Sequence, residues 1–294
     1  MLLITVFGSV FNLFVLMVFC FNKKACTVPE IYLSNLAAAD LVLVSSLPFW
    51  AVNVSNHYNW PFSATLCRLV SVSIGMNTYC SIYLLALISI DRFFALVHPL
   101  SHIRMRRPKY AKLGCLLVWV FSLLMNIPIL MYRKVKYYPN INTTTCFLDY
   151  PNFFVYIVYE GILTMFIFII PISIISFCSL KIIKTLKKRK NTLKKEMKAT
   201  TLVLAVLLAF LVCWMPFHLV RIVQLLGEAG VFRQCKFEIM IDICRQVFIY
   251  LAFFNSVLNP VLYVIVGKNF RNKVKELFNQ WSLREHTNTT STSS

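Results

Sequence analysis

A chain of 294 residues would ordinarily hold about two soluble domains. Here 59% of residues are apolar with tyrosine counted and only 14% are charged, against about 45–50% and about 25% in soluble proteins; with 7 Gly and 11 Pro the chain is neither collagen-like nor disordered. The net charge of +19 would suit a nucleic-acid binder if it covered one soluble face, but 21 of the 30 Lys and Arg fall in four clusters that abut apolar runs: Lys23 and Lys24, Arg104 to Lys112, Lys181 to Lys198, and Lys268 to Arg284. The prediction is a membrane protein with no nucleic-acid partner.

Seven apolar runs, at about 1–22, 30–53, 64–97, 112–132, 153–180, 199–226 and 239–266, are long enough to cross about 30 Å of hydrocarbon. Lipid offers no hydrogen bonds to the backbone, so each must be a helix. With the N-terminus outside, 22 of the 30 basic residues are cytoplasmic and 8 are not, the positive-inside bias. The first run lacks a basic start and is followed by Lys23 and Lys24, so it reads as an anchor span rather than a cleaved signal. A chain with no outer tail before that span reads as truncated. Pro48, Pro128, Pro171, Pro216 and Pro260 are predicted to kink their spans. After the seventh run, Phe270, Val274, Leu277 and Phe278 form an apolar stripe opposed by Lys268, Arg271, Lys273 and Lys275. That pattern predicts an interfacial helix over 267–281. The tail from 282 to 294 reads as disordered. The fold expected is an all-α membrane protein, a seven-helix bundle over 1–266 with a short amphipathic eighth helix.

Four of the ten cysteines, Cys80, Cys115, Cys178 and Cys213, lie within spans as small apolar residues. Cys67 opens the third span and Cys146 lies in the loop before the fifth, so both face the oxidising side and are predicted to bridge. Cys235 pairs either with a residue on a missing outer tail or with Cys244. Asn142-Thr143-Thr144 is an N-glycosylation acceptor in an outer loop, and Asn53-Val54-Ser55 a weaker one close to the bilayer.

Polar groups inside a membrane are costly and need a reason. Asp40 lies ten residues, about 15 Å, past Glu30, which puts its carboxylate near the bilayer centre. Asn77 and Ser81 share one face of the third span, and Asn255 and Asn259 one face of the seventh. Together these five suit a hydrated cation site or, equally, a network joining helices. Spacing does not choose between the two.

The set Asn12, Leu36-Ala37-Ala38-Ala39-Asp40, Asp91-Arg92-Phe93, Trp119, Cys213-Trp214-Met215-Pro216 and Asn259-Pro260-Val261-Leu262-Tyr263 resembles the signature of rhodopsin-like G-protein-coupled receptors across all seven spans. Within them, Cys26-Thr27-Val28-Pro29-Glu30-Ile31-Tyr32-Leu33, Leu47-Pro48-Phe49-Trp50-Ala51 and Tyr263-Val264-Ile265-Val266-Gly267-Lys268 look most like bradykinin receptors, with angiotensin receptors the nearest competitor.

The resemblance implies roles. Asp40, Asn77, Ser81, Asn255 and Asn259 match an allosteric sodium pocket, and no other cofactor is implied. Pro171, Ile82 and Phe210 match a packing switch, with Trp214 as the floor of the ligand cavity. Asp91 and Arg92 match the motif that meets the G protein, Glu196 stands where a restraining carboxylate would be, and Asn259, Pro260 and Tyr263 belong to the switch in the seventh span. Phe93 replaces the usual Tyr, and Ser179 stands where many receptors carry another. An extracellular basic peptide is the implied ligand, held by Asp242 and Gln246. Gln224 and Tyr156 replace two acids the family uses; Glu160, one turn deeper than Tyr156, is a substitute. Arg221 either pairs with Glu160 or receives the peptide's carboxylate. A heterotrimeric G protein of the Gq class, with phospholipase C and calcium signalling, arrestin and receptor kinases are the implied partners. The run Lys181 to Lys198, nine basic residues and one acid, also suits anionic membrane lipid.

A transporter or channel should show repeated halves and coupled midplane charges, and Asp40 is the one midplane acid. The seventh span has no Schiff-base Lys, and Ile74 stands where an amine receptor carries Asp. His-Glu-x-x-His and Gly-x-Ser-x-Gly are absent, so no enzyme is expected.

Overall fold

The computed structural model describes residues 1–22, 25–98, 107–188, 194–228 and 235–291, with side chains described except at 141, 188, 194–200, 235–238 and 281–291. Helix α1 (Leu2–Phe21) is followed by α2 (Val28–Ser55), α3 (Ala64–Val97) and α4 (Pro108–Met125) with its short continuation α5 (Ile127–Tyr132). Strands β1 (Arg133–Tyr138) and β2 (Thr143–Leu148) form an antiparallel hairpin with Arg133 opposite Leu148. Then come α6 (Phe153–Thr164), a π-helical turn (Met165–Ile169), α7 (Ile170–Lys188), α8 (Lys194–Glu228), α9 (Cys235–Ile265) and α10 (Lys268–Ser291). Seven segments are long and apolar enough to cross a membrane. Each overlaps one of the predicted runs, the fourth starting earlier, at Pro108, and the fifth ending later, at Lys187.

Local chemistry sets the helix ends. Thr27 and Glu30 form a reciprocal cap on α2, the Thr27 amide donating to Glu30 Oε2 at 2.7 Å. Ser63 accepts from the Leu66 amide at the start of α3, and Asn152 from the Val155 amide at the start of α6. Pro128 acts as a break rather than a kink: α4 stops at Met125, and α5 restarts with Pro128 in its first turn. Upstream of Pro171, which lacks the N–H that a regular turn needs, the chain widens into the π turn. The Tyr83 hydroxyl donates to the Phe166 carbonyl there at 2.9 Å.

The core runs along α3, which packs against α2, α4, α7 and the hairpin. Leu84, Leu85, Ile82 and Ile88 are buried with Leu36, Phe210 and Trp214. The outer surface reverses soluble logic: Leu116, Leu117, Leu208 and Val212 are all more than half exposed. Such a belt belongs against lipid.

Helix α10 departs from expectation in two ways. It continues past 281 to Ser291, where a disordered tail is predicted, because no Gly or Pro interrupts it from Lys268 on. Lys273 is also buried rather than on the polar face. Its spacing from Phe270, Val274 and Leu277 places it on their side of the helix, where its ammonium pairs with Glu30 at 3.0 Å and lies over the Phe19 ring. Gly267 makes the turn into α10: a Cβ there would sit 2.4 Å from the Tyr263 carbonyl oxygen.

Candidate functional site

Asp40 is the centre of the bundle's polar interior. Asn77 of α3 donates to its Oδ1 and Asn259 of α9 to its Oδ2, both at 2.9 Å, so one buried carboxylate joins three helices. Each amide presents its nitrogen to Asp40. Ser81 Oγ, Asn255 Oδ1 and Asn259 Oδ1 are buried without a partner among the described residues. Ser81 is one turn from Asn77, and Asn255 one turn from Asn259. A carboxylate beside orphaned neutral oxygens is the donor set of a hard cation, so these residues fit the implied sodium ion. Asn12 ties α1 to the same region, donating to the carbonyls of Gly8 at 2.8 Å and Ser256 at 2.9 Å. Trp119 of α4 donates to Asn35 of α2 at 3.0 Å.

In the surrounding core, Ile82 and Phe210 are buried in one cluster, and Pro171 is buried at the start of α7. Trp214 stacks between Phe210 and His218, with ring centroids 5.9 and 5.8 Å away, and its indole N–H has no partner among the described residues. Tyr263 is fully buried, edge-on to Phe270. Pro260 follows Asn259 inside α9. At the α10 end of the bundle, Arg92 is buried and ion-paired with its neighbour Asp91, Nε donating at 2.9 Å. The side chain of Glu196 lies outside the described residues, as does that of Cys235; Cys244 is a free thiol.

At the hairpin end, the predicted bridge joins Cys67 of α3 to Cys146 of β2, with Cα atoms 6.0 Å apart. Burial pushes the pKa of Arg133 down to about 10; its Nε donates to Cys146 Sγ at 3.4 Å. Asn142 is exposed at the hairpin tip in the left-handed region, φ 47°. Asn53, the weaker acceptor, is buried.

The predicted ligand residues separate into two groups. Glu160 of α6 is buried and ion-paired with Arg221 of α8, which occupies the guanidinium internally. Tyr156 donates to Glu228, and Gln224 donates to the same carboxylate at 3.0 Å. Asp242 is exposed on α9 and meets Arg245 at 3.3 Å. A cavity of about 410 Å³ opens between α2, α3, α8 and α9, lined by Trp50, Tyr58, Ile74, Phe217, Arg245 and Gln246 among others. Gln246 is the predicted ligand residue that faces it. Burial beside Tyr250 raises the pKa of the Tyr58 hydroxyl, which keeps it a neutral donor. Tyr58 sits at φ 62°, an uncommon conformation for a bulky residue. Its amide donates to the Asn53 carbonyl at 2.8 Å.

Tyr58 and Arg245 were not singled out from sequence, and Trp50 entered only through the resemblance, with no ligand role. A signal existed for Arg245: with Ile249 and Phe253 it recurs every four residues, the inward face of α9. Tyr58 gives no such signal, because a loop has no periodicity.

Residues 11–263 match the profile of the 7 transmembrane receptor (rhodopsin family). The chain is 45% identical to the B2 bradykinin receptor of Oryctolagus cuniculus over 93% of this chain and 76% of that one. It is 43% identical to the B2 bradykinin receptor of Homo sapiens, over 93% and 71%, and 42% identical to the B1 bradykinin receptor of Macaca mulatta, over 93% and 80%. Extended over nearly the whole chain, with the seven spans, the bridged third helix and the Asp40 centre in place, that similarity makes this a multi-pass membrane protein and not an enzyme: it belongs to the rhodopsin family of seven-transmembrane receptors, and within it to the bradykinin receptors.

Proposed function

We propose that the protein is a plasma-membrane receptor for a kinin-like basic peptide, with its N-terminus outside, that passes the binding signal to a heterotrimeric G protein of the Gq class. The observation that carries this reading is the cavity at the hairpin end of a bundle whose opposite end holds Arg92 and the exposed Lys181, Lys184 and Lys187. A peptide entering one end and a G protein docking at the other are then joined by the α3, α8 and α9 packing around Asp40, Phe210 and Tyr263. The disulfide favours an oxidising environment at the cavity end, and Asn142 is exposed there for glycosylation.

Asp40, Asn77, Ser81, Asn255 and Asn259 would hold a sodium ion, which supplies a positive charge that stabilises one arrangement of the three helices. Asp40 itself joins α3 and α9 through the two asparagine amides. Glu196 would restrain Arg92 from α8. Arrestin and receptor kinases would act on the same end, and anionic lipid would meet the basic run.

The test is calcium mobilisation in cells expressing the protein, challenged with bradykinin and with angiotensin peptides. A response to bradykinin at nanomolar to micromolar concentrations, blocked by Gq inhibition, is expected. A response to angiotensin peptides alone would replace the kinin reading.

A further inference from the structure

Arg245 and Asp242 stand one turn apart on α9 and bracket the cavity mouth differently. Arg245 lines the cavity and is the one charged side chain among its described lining residues. Asp242 does not line it and is more exposed, its side chain 57% accessible against 38% for Arg245. Their closest contact is long, 3.3 Å from a terminal guanidinium nitrogen. Arg245 Nε is buried without a hydrogen-bond partner among the described residues. A buried unpaired donor is unfavourable, and an arginine presents its N–H groups as a planar fork that matches a carboxylate in two-point contact.

We propose that this pair is a split-charge clasp for the free-acid C-terminus of a peptide bearing a basic side chain. The α-carboxylate binds Arg245 inside the cavity. Asp242, released from Arg245, binds the cationic group nearer solvent. The exchange conserves charge, since each member of the opened pair finds an opposite partner on the ligand. The exposed pair is weak enough to open readily. Tyr58 and Gln246 add neutral hydrogen-bonding groups within the same cavity.

Arg221 is the competing carboxylate receptor that the sequence suggests, and its geometry argues against that role. It is bound to Glu160, which is buried, and withdrawing it would leave a buried carboxylate uncompensated. Arg245 has no such obligation, because Asp242 is already hydrated.

The proposal rests on the kinin-receptor reading, and one experiment separates the two. Calcium responses to bradykinin and to its C-terminal carboxamide are measured for the wild type, Arg245→Gln, Arg245→Lys and Arg221→Gln at matched surface expression. The wild type is expected to prefer the free acid about tenfold or more. Arg245→Gln should abolish that preference by weakening the acid at least tenfold while changing the amide less than threefold. Arg221→Gln should weaken both peptides alike. If Arg245→Gln does not reach the surface, Arg245→Lys decides, because it keeps the charge without the fork and should cut the acid-over-amide ratio at least threefold. An unchanged ratio in the Arg245 variant that is read overturns the clasp while leaving the kinin reading intact. A wild type that answers neither peptide overturns both.

Discussion

Glu30 and Lys273 lie 243 positions apart and meet in a buried 3.0 Å ion pair that fastens α10 to the first turn of α2. The same carboxylate caps α2 through the Thr27 amide, and the Asn22 side chain donates to the Lys273 carbonyl at 3.3 Å. This pair and the packing of Phe270 against Phe14 and Phe19 hold α10 to the bundle. Removing one partner leaves a buried charge, an effect of about 3–5 kcal/mol. Lys273→Met and Glu30→Gln should each lower the thermal stability of the purified receptor, and the double variant should lose clearly less than their sum. Additive losses would show that the two residues act independently.

The Asp40 centre predicts ion-specific control. Orphaned oxygens at Ser81, Asn255 and Asn259 would complete a carboxylate site for a hard cation, and a ligand that favours one state shifts the population. Replacing sodium with a bulky organic cation at constant ionic strength should raise agonist affinity about fivefold or more. Asp40→Ala should remove that dependence. Equal sodium sensitivity in the variant would reduce the cluster to a structural network.

Gly75 of α3 is a close-approach position: a Cβ there would fall 1.9 Å from Asn126 Oδ1, at the end of α4. Asn126 is fully buried and its amide nitrogen donates to the Ser122 carbonyl at 2.7 Å, which holds the side chain where the added Cβ would fall. Gly75→Ala should destabilise the protein by about 1–3 kcal/mol, measured by thermal unfolding in detergent. Asn126→Ala should recover much of that loss in the Gly75→Ala background while being damaging alone. Absence of coupling between the two substitutions would refute the packing account.

Arg92 is satisfied by Asp91 within its own helix, so any restraint from α8 acts on a pair already formed. Glu196→Ala should raise basal G-protein signalling, and Asp91→Asn, which frees the guanidinium directly, should raise it further. Basal activity unchanged in Glu196→Ala at matched expression would assign restraint to Asp91 alone.

Seven spans, the Cys67–Cys146 pairing and the polar positions around Asp40 were legible in the sequence. Lipid forces every spanning backbone into a helix, and helical spacing then puts Asn77 with Ser81 and Asn255 with Asn259 on common faces. Whether those faces met was a question for tertiary structure, which brings Asn77 and Asn259 to opposite oxygens of one carboxylate. Tertiary structure alone also decided which charges neutralise each other. Lys273 reads as a surface cation because sequence gives no partner across helices, yet it is bound to Glu30; of the two partners the sequence leaves open for Arg221, the fold supplies Glu160. Arg245 carries no assigned role in the sequence, and only the meeting of α2, α3, α8 and α9 makes it the cation of a cavity. Periodicity is a local property of the chain, whereas charge pairing at low dielectric depends on distances of a few ångströms between helices far apart in sequence.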